Sequence, residues 1–345
     1  MPRSLDFHMK KIKEGSVEIF IPVEKKISKK LPVFYNPVME FNRDMTVLLL
    51  QQFPPMNLCD PLAGTGIRSI RFARELKYKS ITANDLSKRS VSLIKKNMRL
   101  NMVKFDVHNK DANLMILESK GFDFMDLDVF GCPNFMLDSS INRLSRQGIL
   151  AVTATDTSAL AGTYPKACLR KYWAVPLRNE LMHEIGLRIL IRKIQLIAAQ
   201  YSKALTPVFS YSRDHYMRVF LSCEKSKEKT DNLLRHHGFF EDAGPLWKGP
   251  LWDRNLVTKM LRNNKKAEND KFLSVIKEES SIDTIGFYDL HKLAKRYKVE
   301  IPKKEELIKR LKKKGYKASD THFSGKAIKS DVGLEKLLKI IQSLN

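Results

Sequence analysis

The stretch "NLCDPLAGTGIRSIRFARELK", residues 57–77, decides the fold. "NLCD" has the character of a short buried strand, and "PLAGTG" turns the chain on two glycines. In "IRSIRFARELK" the apolar residues recur with helical spacing. The same order repeats downstream: "SITAND" reads as a strand and "KRSVSLIKKNMRLN" as a helix. Strands through "VHNKDA", "FDFMDLDVFG" and "GILAVTATD" follow. Strands alternating with helices imply βαβ units and a parallel sheet, so the expected class is α/β, a Rossmann-like doubly wound sheet.

After a long helical region at 177–204, "PVFSYS" and "YMRVFLSC" suit two more strands, expected as an antiparallel pair at the sheet edge. Past Cys223 the texture changes to a charged run, "EKSKEKTD", and a segment rich in Pro, Gly and Trp, "EDAGPLWKGPLWD". Short amphipathic helices such as "FYDLHKLAKRY" and "EELIKRLKKKGY" come next. A length of 345 residues fits two domains. We expect a catalytic domain over 1–225 and a smaller, basic, mostly helical C-terminal domain over 226–345.

Bulk properties exclude several classes. Hydrophobic residues at 43% can fill ordinary cores, yet no apolar stretch approaches the roughly 18–20 residues of a membrane span. The stretch 1–26 mixes acids with its lysines and has no continuous apolar core, unlike a secretory leader. A soluble protein of the cytoplasm is the expectation. Cysteines 59, 132, 168 and 223 form no CxxC pair, which argues against a zinc ribbon or a disulfide framework. "HEIGL" at His183 begins like a zincin helix, but Leu187 stands where the second His belongs, so no metal is expected.

The net charge of +24 points to a polyanionic partner. Part of the excess is local: residues 301–345 hold 12 Lys or Arg against 5 Asp or Glu. A solvated lysine-rich face has the same composition, but nucleic acid is the leading partner.

The glycine turn is flanked by acids in a telling order. Asp60 closes the first strand, Gly64 and Gly66 shape the turn, and Asp85 closes the next strand. Glycine accepts strained backbone angles and lets a ligand approach closely. An acid at Asp85 suits the two ribose hydroxyls of an adenosine cofactor, and Asp111 with Ala112, ending the third strand, suits the adenine edge. Any one of these acids can equally cap a helix. With no lysine in the glycine loop, the set fits a nucleoside cofactor better than a triphosphate. S-adenosylmethionine fits, because its sulfonium and amino groups favour a carboxylate-lined cleft.

Longer motifs carry a resemblance. "FYNPVMEFNRD" (34–44), "DPLAGTGIRSIRFARE" (60–75), "ANDLS" (83–87), "DLDVFG" (126–131), "TDTSALAGTYPKACLRKYWA" (155–174) and "SRDHYMRVFL" (212–221) resemble the tRNA guanine-26 N2-dimethyltransferases. The likeness continues through "AGPLWKGPLWD" (243–253) to "GYKASDTHFSGKAIKSD" (315–331), nearly the whole chain. It implies a class I S-adenosylmethionine-dependent methyltransferase fold, with tRNA as partner. By the same resemblance Arg43 and Arg68 match cofactor-pocket arginines, Asp85 the ribose ligand, and Asp111 with Ala112 the adenine contacts. Asp128 matches the catalytic acid, and Phe34 and Phe130 match rings that hold the target base. For either Phe, plain core packing is the commoner fate.

That match gives "DLDVFG" a chemical meaning. The amine of guanine is a poor nucleophile because its lone pair is delocalised into the ring. Asp128 would accept a hydrogen bond from N2, and the backbone carbonyl of Val129 would take the other N–H. Chemistry on a paired base requires turning it out of the stack, where Phe34 and Phe130 would hold it. The family usually has proline where this chain has Val129, so a looser backbone and an altered mono- versus dimethyl outcome are expected there. "TDTSALAGTYP" is expected to complete the base pocket. Two alternatives stay open from the residues alone: an amine methyltransferase acting on another base of RNA or DNA, and a non-catalytic RNA-binding relative.

Overall fold

The computed structural model describes residues 8–23 and 33–344; the parts of the 1–26 stretch read for a leader that fall at 1–7 and 24–26 lie outside them. The chain divides into two compact units. One comprises Met1–Thr155, Ile194–Thr206 and Phe220–Asp231, and the other Asp156–Lys193, Pro207–Val219 and Asn232–Asn345. This differs from a single cut near residue 225, because residues 156–193 and 207–219 group with the C-terminal part. Compositional change along the chain marks one boundary; packing between distant segments draws others.

The first unit opens with a hairpin, β1 (Met9–Glu14) and β2 (Val17–Pro22), followed by α1 (Glu40–Leu50). The alternating elements then appear: β3 (Asn57–Asp60), α2 (Ile67–Glu75), β4 (Ser80–Asn84), α3 (Lys88–Leu100), β5 (Asp106–His108), α4 (Ala112–Glu118), β6 (Phe122–Asp128), α5 (Asn134–Arg143) and β7 (Leu144–Ala154). Short helices α6 (Thr157–Leu160) and α7 (Pro165–Tyr172), which belong to the second unit, precede the long α8 (Met182–Ala199), which begins in the second unit and ends in the first. Strands β8 (Lys203–Arg213) and β9 (Tyr216–Lys225) complete a seven-stranded sheet in the order β5-β4-β3-β6-β7-β9-β8.

Strands β3 to β7 pair in parallel. β6 is buried along most of its length, as a central strand covered on both faces must be. The chain runs outward from β3 through β4 to β5, then returns to place β6 beside β3. Doubly wound sheets bind ligands at that reversal, outside the carboxyl ends of the strands. The ends in question are Asp60 and Asp128.

The β1–β2 hairpin was not legible as strands, although "VEIFIP" alternates. Its Val17, Ile19 and Ile21 bury against Ala63, Ile67, Ile70, Ile94 and Met98, so it covers the helices flanking the glycine turn. Asn97 of α3 ties the two together: its amide donates to the carbonyls of Phe20 and Thr65 and accepts from the Phe20 N–H.

In the second unit, α9 (Lys227–Leu234), which begins in the first, leads into the hairpin β10 (His237–Phe240) and β11 (Ala243–Trp247). Then come α10 (Arg254–Asn263), α11 (Ala267–Glu279), β12 (Tyr288–Asp289), α12 (Leu290–Tyr297), α13 (Lys304–Lys313), β13 (Ala318–Thr321), β14 (Ser324–Ser330) and α14 (Leu334–Gln342). The amphipathic helices are where the sequence put them. They share their core with a three-stranded antiparallel sheet, β12-β14-β13, which periodicity did not reveal. Among the described residues no helix is long and apolar enough to cross a membrane.

Candidate active site

The turn after β3 needs its glycines. Gly64 has φ +55°, and a Cβ there would lie 2.8 Å from the Phe34 carbonyl oxygen. Gly66 has φ +80° and caps α2, with Ile94 at 3.1 Å from where a Cβ would stand. The Gly64 N–H donates to Asp85 Oδ2 at 2.9 Å, while Asp85 Oδ1 accepts from the Ser87 N–H at 2.8 Å. Asp85 thus shapes the glycine loop from the next strand end. Asn84 beside it donates to the carbonyls of Pro61 and Lys110 and accepts from the Lys110 N–H, binding three strand ends together. Asp111 is exposed and caps α4 through the Leu114 N–H, and Ala112 is buried behind it.

Arg68, from the first turn of α2, is the hub of the site. It is buried, and its Nη1 meets Asp126 at 2.9 Å while its Nη2 meets Asp128 at 2.5 Å. Nη2 also donates to Asn42 Oδ1 and Nη1 to Thr46 Oγ1, both on α1. Burial alone would lower the affinity of the guanidinium for its proton. The carboxylates of Asp126, Asp128 and Asp60 reverse that and raise its pKa above the ordinary value.

Asp60 is buried and accepts from Ser69 Oγ at 2.7 Å. Burial pushes its carboxyl up to about 7, against the opposing influence of Arg68 and Ser69. Arg43 is held differently. Its Nε and Nη2 form a paired contact with the Glu14 carboxylate at 2.6 Å each, and Arg71 reaches the same carboxylate. Burial favours a protonated Glu14, yet the two arginines outweigh it and hold its pKa below the usual range.

One pocket is lined by Phe34, Arg43, Asp60, Gly64, Thr65, Arg68 and Asp128, among others. The structure therefore brings together the glycine loop, the two arginines, Asp60, Asp128 and one of the two expected rings, while Asp85, Asp111 and Ala112 stand outside this pocket's lining. The second ring, Phe130, is 41% exposed and packs against Phe34. Val129 is buried. Just after it, Gly131 exchanges two hydrogen bonds with Thr155: its N–H donates to Thr155 Oγ1 at 2.6 Å, and its carbonyl accepts the Thr155 N–H at 3.0 Å.

The sequence profile of the N2,N2-dimethylguanosine tRNA methyltransferases matches residues 15–243 and 236–342. The chain belongs to this family. A tRNA (guanine(26)-N(2))-dimethyltransferase of Pyrococcus abyssi is 38% identical, with 96% of this chain and 98% of the relative aligned. A tRNA (guanine(26)-N(2)/guanine(27)-N(2))-dimethyltransferase of Aquifex aeolicus is 36% identical over 97% of this chain and 96% of its own. Among solved structures, Trm1 from Pyrococcus horikoshii in complex with S-adenosyl-L-methionine superposes with a TM-score of 0.89 at 36% identity, covering 96% of this chain and 99% of that one.

In this member of the dimethyltransferase family, several residues that build the site have no individual role readable from the sequence, although most lie inside the motifs quoted above. Glu14, Asn42, Asn84, Asn97, Asp126 and Thr155 position others, and only the fold shows which. Thr65 is another: its hydroxyl is buried without a hydrogen-bond partner, and the residue lines the pocket. Among the described residues no group of three or more His, Cys, Asp or Glu is placed to hold a metal ion.

Proposed function

We propose that this protein transfers methyl groups from S-adenosylmethionine to the exocyclic N2 of guanine 26 in tRNA, through N2-methylguanosine to N2,N2-dimethylguanosine. The observation that carries the reading is Asp128 at the end of β6, fixed by buried Arg68 in the pocket that the glycine loop forms.

The pocket fits the cofactor. Asp60 and the unpartnered Thr65 hydroxyl in the pocket suit a cationic, hydroxyl-rich nucleoside, Asp85 shapes the loop from behind, and the glycine backbone leaves room for close approach. Asp60, Gly64, Arg43 and Arg68 would line its site, with Asp85 facing the ribose and Asp111 and Ala112 the adenine. When bound, S-adenosylmethionine supplies an electrophilic methyl group on a sulfonium centre.

The chain's own residues do the rest. Asp128 accepts a hydrogen bond from the N2 amine, and the Val129 carbonyl takes the second N–H, so the nitrogen lone pair is freed from the ring and aimed. Arg68 holds the Asp128 carboxylate in one orientation, and orienting two bound reactants is worth several kcal/mol of barrier. After transfer Asp128 takes the released proton. Phe34 and Phe130 hold the turned-out guanine by stacking. The two hydrogen bonds between Gly131 and Thr155 fix the backbone that proline would otherwise stiffen, which supports a full dimethyl outcome despite Val129.

The C-terminal lysine surplus grips the tRNA backbone by phosphate contacts that position without reading sequence. We assign this work to the segment from residue 226 onward. A tRNA substrate supports work in the cytoplasm. The test is incubation of purified protein with labelled cofactor and unmodified tRNA transcript. Label should enter the wild-type transcript as dimethylguanosine and fail to enter one carrying adenine at position 26; equal labelling of both transcripts would refute the site assignment.

A further inference from the structure

Helix α7, in the second unit, turns a mixed cationic and apolar face outward. Lys166, Leu169 and Arg170, with Trp173 just past the helix end, recur at spacings of three and four, so they share one side. All of them are exposed, whereas Cys168 and Tyr172 fill the opposite side and are buried. No Asp or Glu occurs between Asp156 and Glu180, an interval that carries Lys166, Arg170, Lys171 and Arg178. Lys171 pairs with Asp156, whereas Lys166 and Arg170 have no acidic partner among the described residues. The outer face therefore sets unneutralised cations beside exposed apolar side chains.

Trp173 stands out on this face. It follows the last helical turn at φ +57°, the left-handed conformation that helix ends ordinarily give to glycine. A bulky residue there is strained, and such strain persists only where the surroundings impose it. Here they do. Arg192 Nη1 donates to the Trp173 carbonyl at 3.3 Å, and Lys193 Nζ lies over the indole ring. Trp173 is nevertheless 48% exposed. With Lys193 against the ring and nearly half the residue open, the indole is a fixed flat surface presented to solvent.

A polyanion that carries flat groups fits this combination. We propose that the outer face of α7 docks RNA: Lys166 and Arg170 take backbone phosphates, and an unpaired base stacks on Trp173. Proteins that hold nucleic-acid strands pair these elements, with cations along the phosphates and aromatic rings under the bases. Basic amphipathic helices also lie on membranes, but they do so with a broad apolar face, and the apolar side of α7 is turned into the protein. The net charge of +24 favours the polyanion as well. This surface lies outside the segment from residue 226 onward, so it adds a second grip to the lysine surplus there. That the RNA is the tRNA substrate rests on the function proposed above.

The experiment uses the full chain, a double variant joining Lys166→Ala with Arg170→Ala, and Trp173→Gly. The two cations are exposed and glycine takes the left-handed backbone without strain, so both variants should fold, as read by thermal unfolding. Binding of unmodified tRNA transcript is measured across a salt series, with cofactor affinity and methylation followed in parallel. The double variant should bind roughly tenfold more weakly and lower the slope of log affinity against log salt by about 2, one for each lost phosphate contact. Trp173→Gly should bind about tenfold more weakly with an unchanged salt slope, because stacking carries no charge. Cofactor affinity should stay the same in both. Unchanged tRNA affinity and salt slope in the double variant overturns the proposal, whatever becomes of Trp173→Gly. So does loss of binding to phosphatidylglycerol–phosphatidylcholine vesicles in variants that hold tRNA as the wild type does, which would make the face a membrane surface. Wild-type protein that binds tRNA and loses it in these variants, yet methylates no transcript, would count against the proposed function and leave this surface standing.

Discussion

The rings of Phe34 and Phe130 meet edge to face, with centroids 4.4 Å apart and planes inclined at 72°. Such a contact is worth about 0.5–1.5 kcal/mol, and a base stacking here as proposed would have to part the two rings. Entry of guanine therefore exchanges one aromatic contact for two. Phe34→Ala and Phe130→Ala should each lower kcat/KM for tRNA by roughly tenfold to a hundredfold, since base stacking is worth about 1–3 kcal/mol per ring. Cofactor affinity, read by calorimetry, should change little in Phe130→Ala, and tyrosine at either position should restore most of the activity.

Arg68 answers for more than chemistry. It neutralises Asp126, which is fully buried, as well as Asp128. Removing one partner of a buried ion pair strands the other charge, at about 3–5 kcal/mol. Arg68→Ala should show that loss in urea denaturation along with loss of methylation. Arg68→Lys keeps a charge but cannot reach both carboxylates and α1 with one fork, so its stability should recover partly and its activity hardly at all.

Thr155 holds the backbone just after Asp128, the acid proposed to react. If its two bonds to Gly131 take over the stiffening that proline gives elsewhere, Thr155→Val should keep the fold and impair the second methylation more than the first. Nucleoside analysis should then find monomethylguanosine accumulating, with Thr155→Ser close to wild type. An unchanged ratio of the two products in Thr155→Val would show the bonds to be irrelevant to methyl number.

Asp60 gives the protein a pH dependence. Its carboxyl is raised from 3.8 to about 7 by burial, so the folded state favours the protonated form. For a raised pKa the contribution to stability is complete below the unfolded value, near 4, and is lost as pH rises through about 7. The unfolding free energy of the wild type should fall relative to Asp60→Asn between pH 4 and 8. A difference that is flat with pH would mean that Asp60 is ionised throughout.

What the sequence revealed and what it withheld follow from distance along the chain. The glycine loop, Asp85 and the Asp128–Gly131 corner were legible because turn chemistry and strand ends are local signals. The bond between Arg68 and Asp128 joins residues 60 apart, and that between Gly131 and Thr155 joins residues 24 apart; no periodicity reports such pairings. Arg43 was read as a pocket arginine and does line the pocket, but its Nε and Nη2 are engaged by Glu14, from a hairpin the sequence did not disclose. The expected strand pair at 207–223 is the β8–β9 hairpin, whose tip residues belong to the C-terminal unit. Only packing assigns such residues to a unit.

Asp128 is the residue proposed to receive the N2 amine of guanine 26 beside the bound cofactor. The most direct measurement compares wild type with Asp128→Ala on unmodified tRNA transcript, with nucleosides mapped after digestion and cofactor binding measured separately. The expected result is N2,N2-dimethylguanosine at position 26 in the wild type and its loss, by a factor of at least about a hundred, in a variant that still binds cofactor and tRNA. Dimethylguanosine formed at the wild-type rate by Asp128→Ala would remove Asp128 from the chemistry.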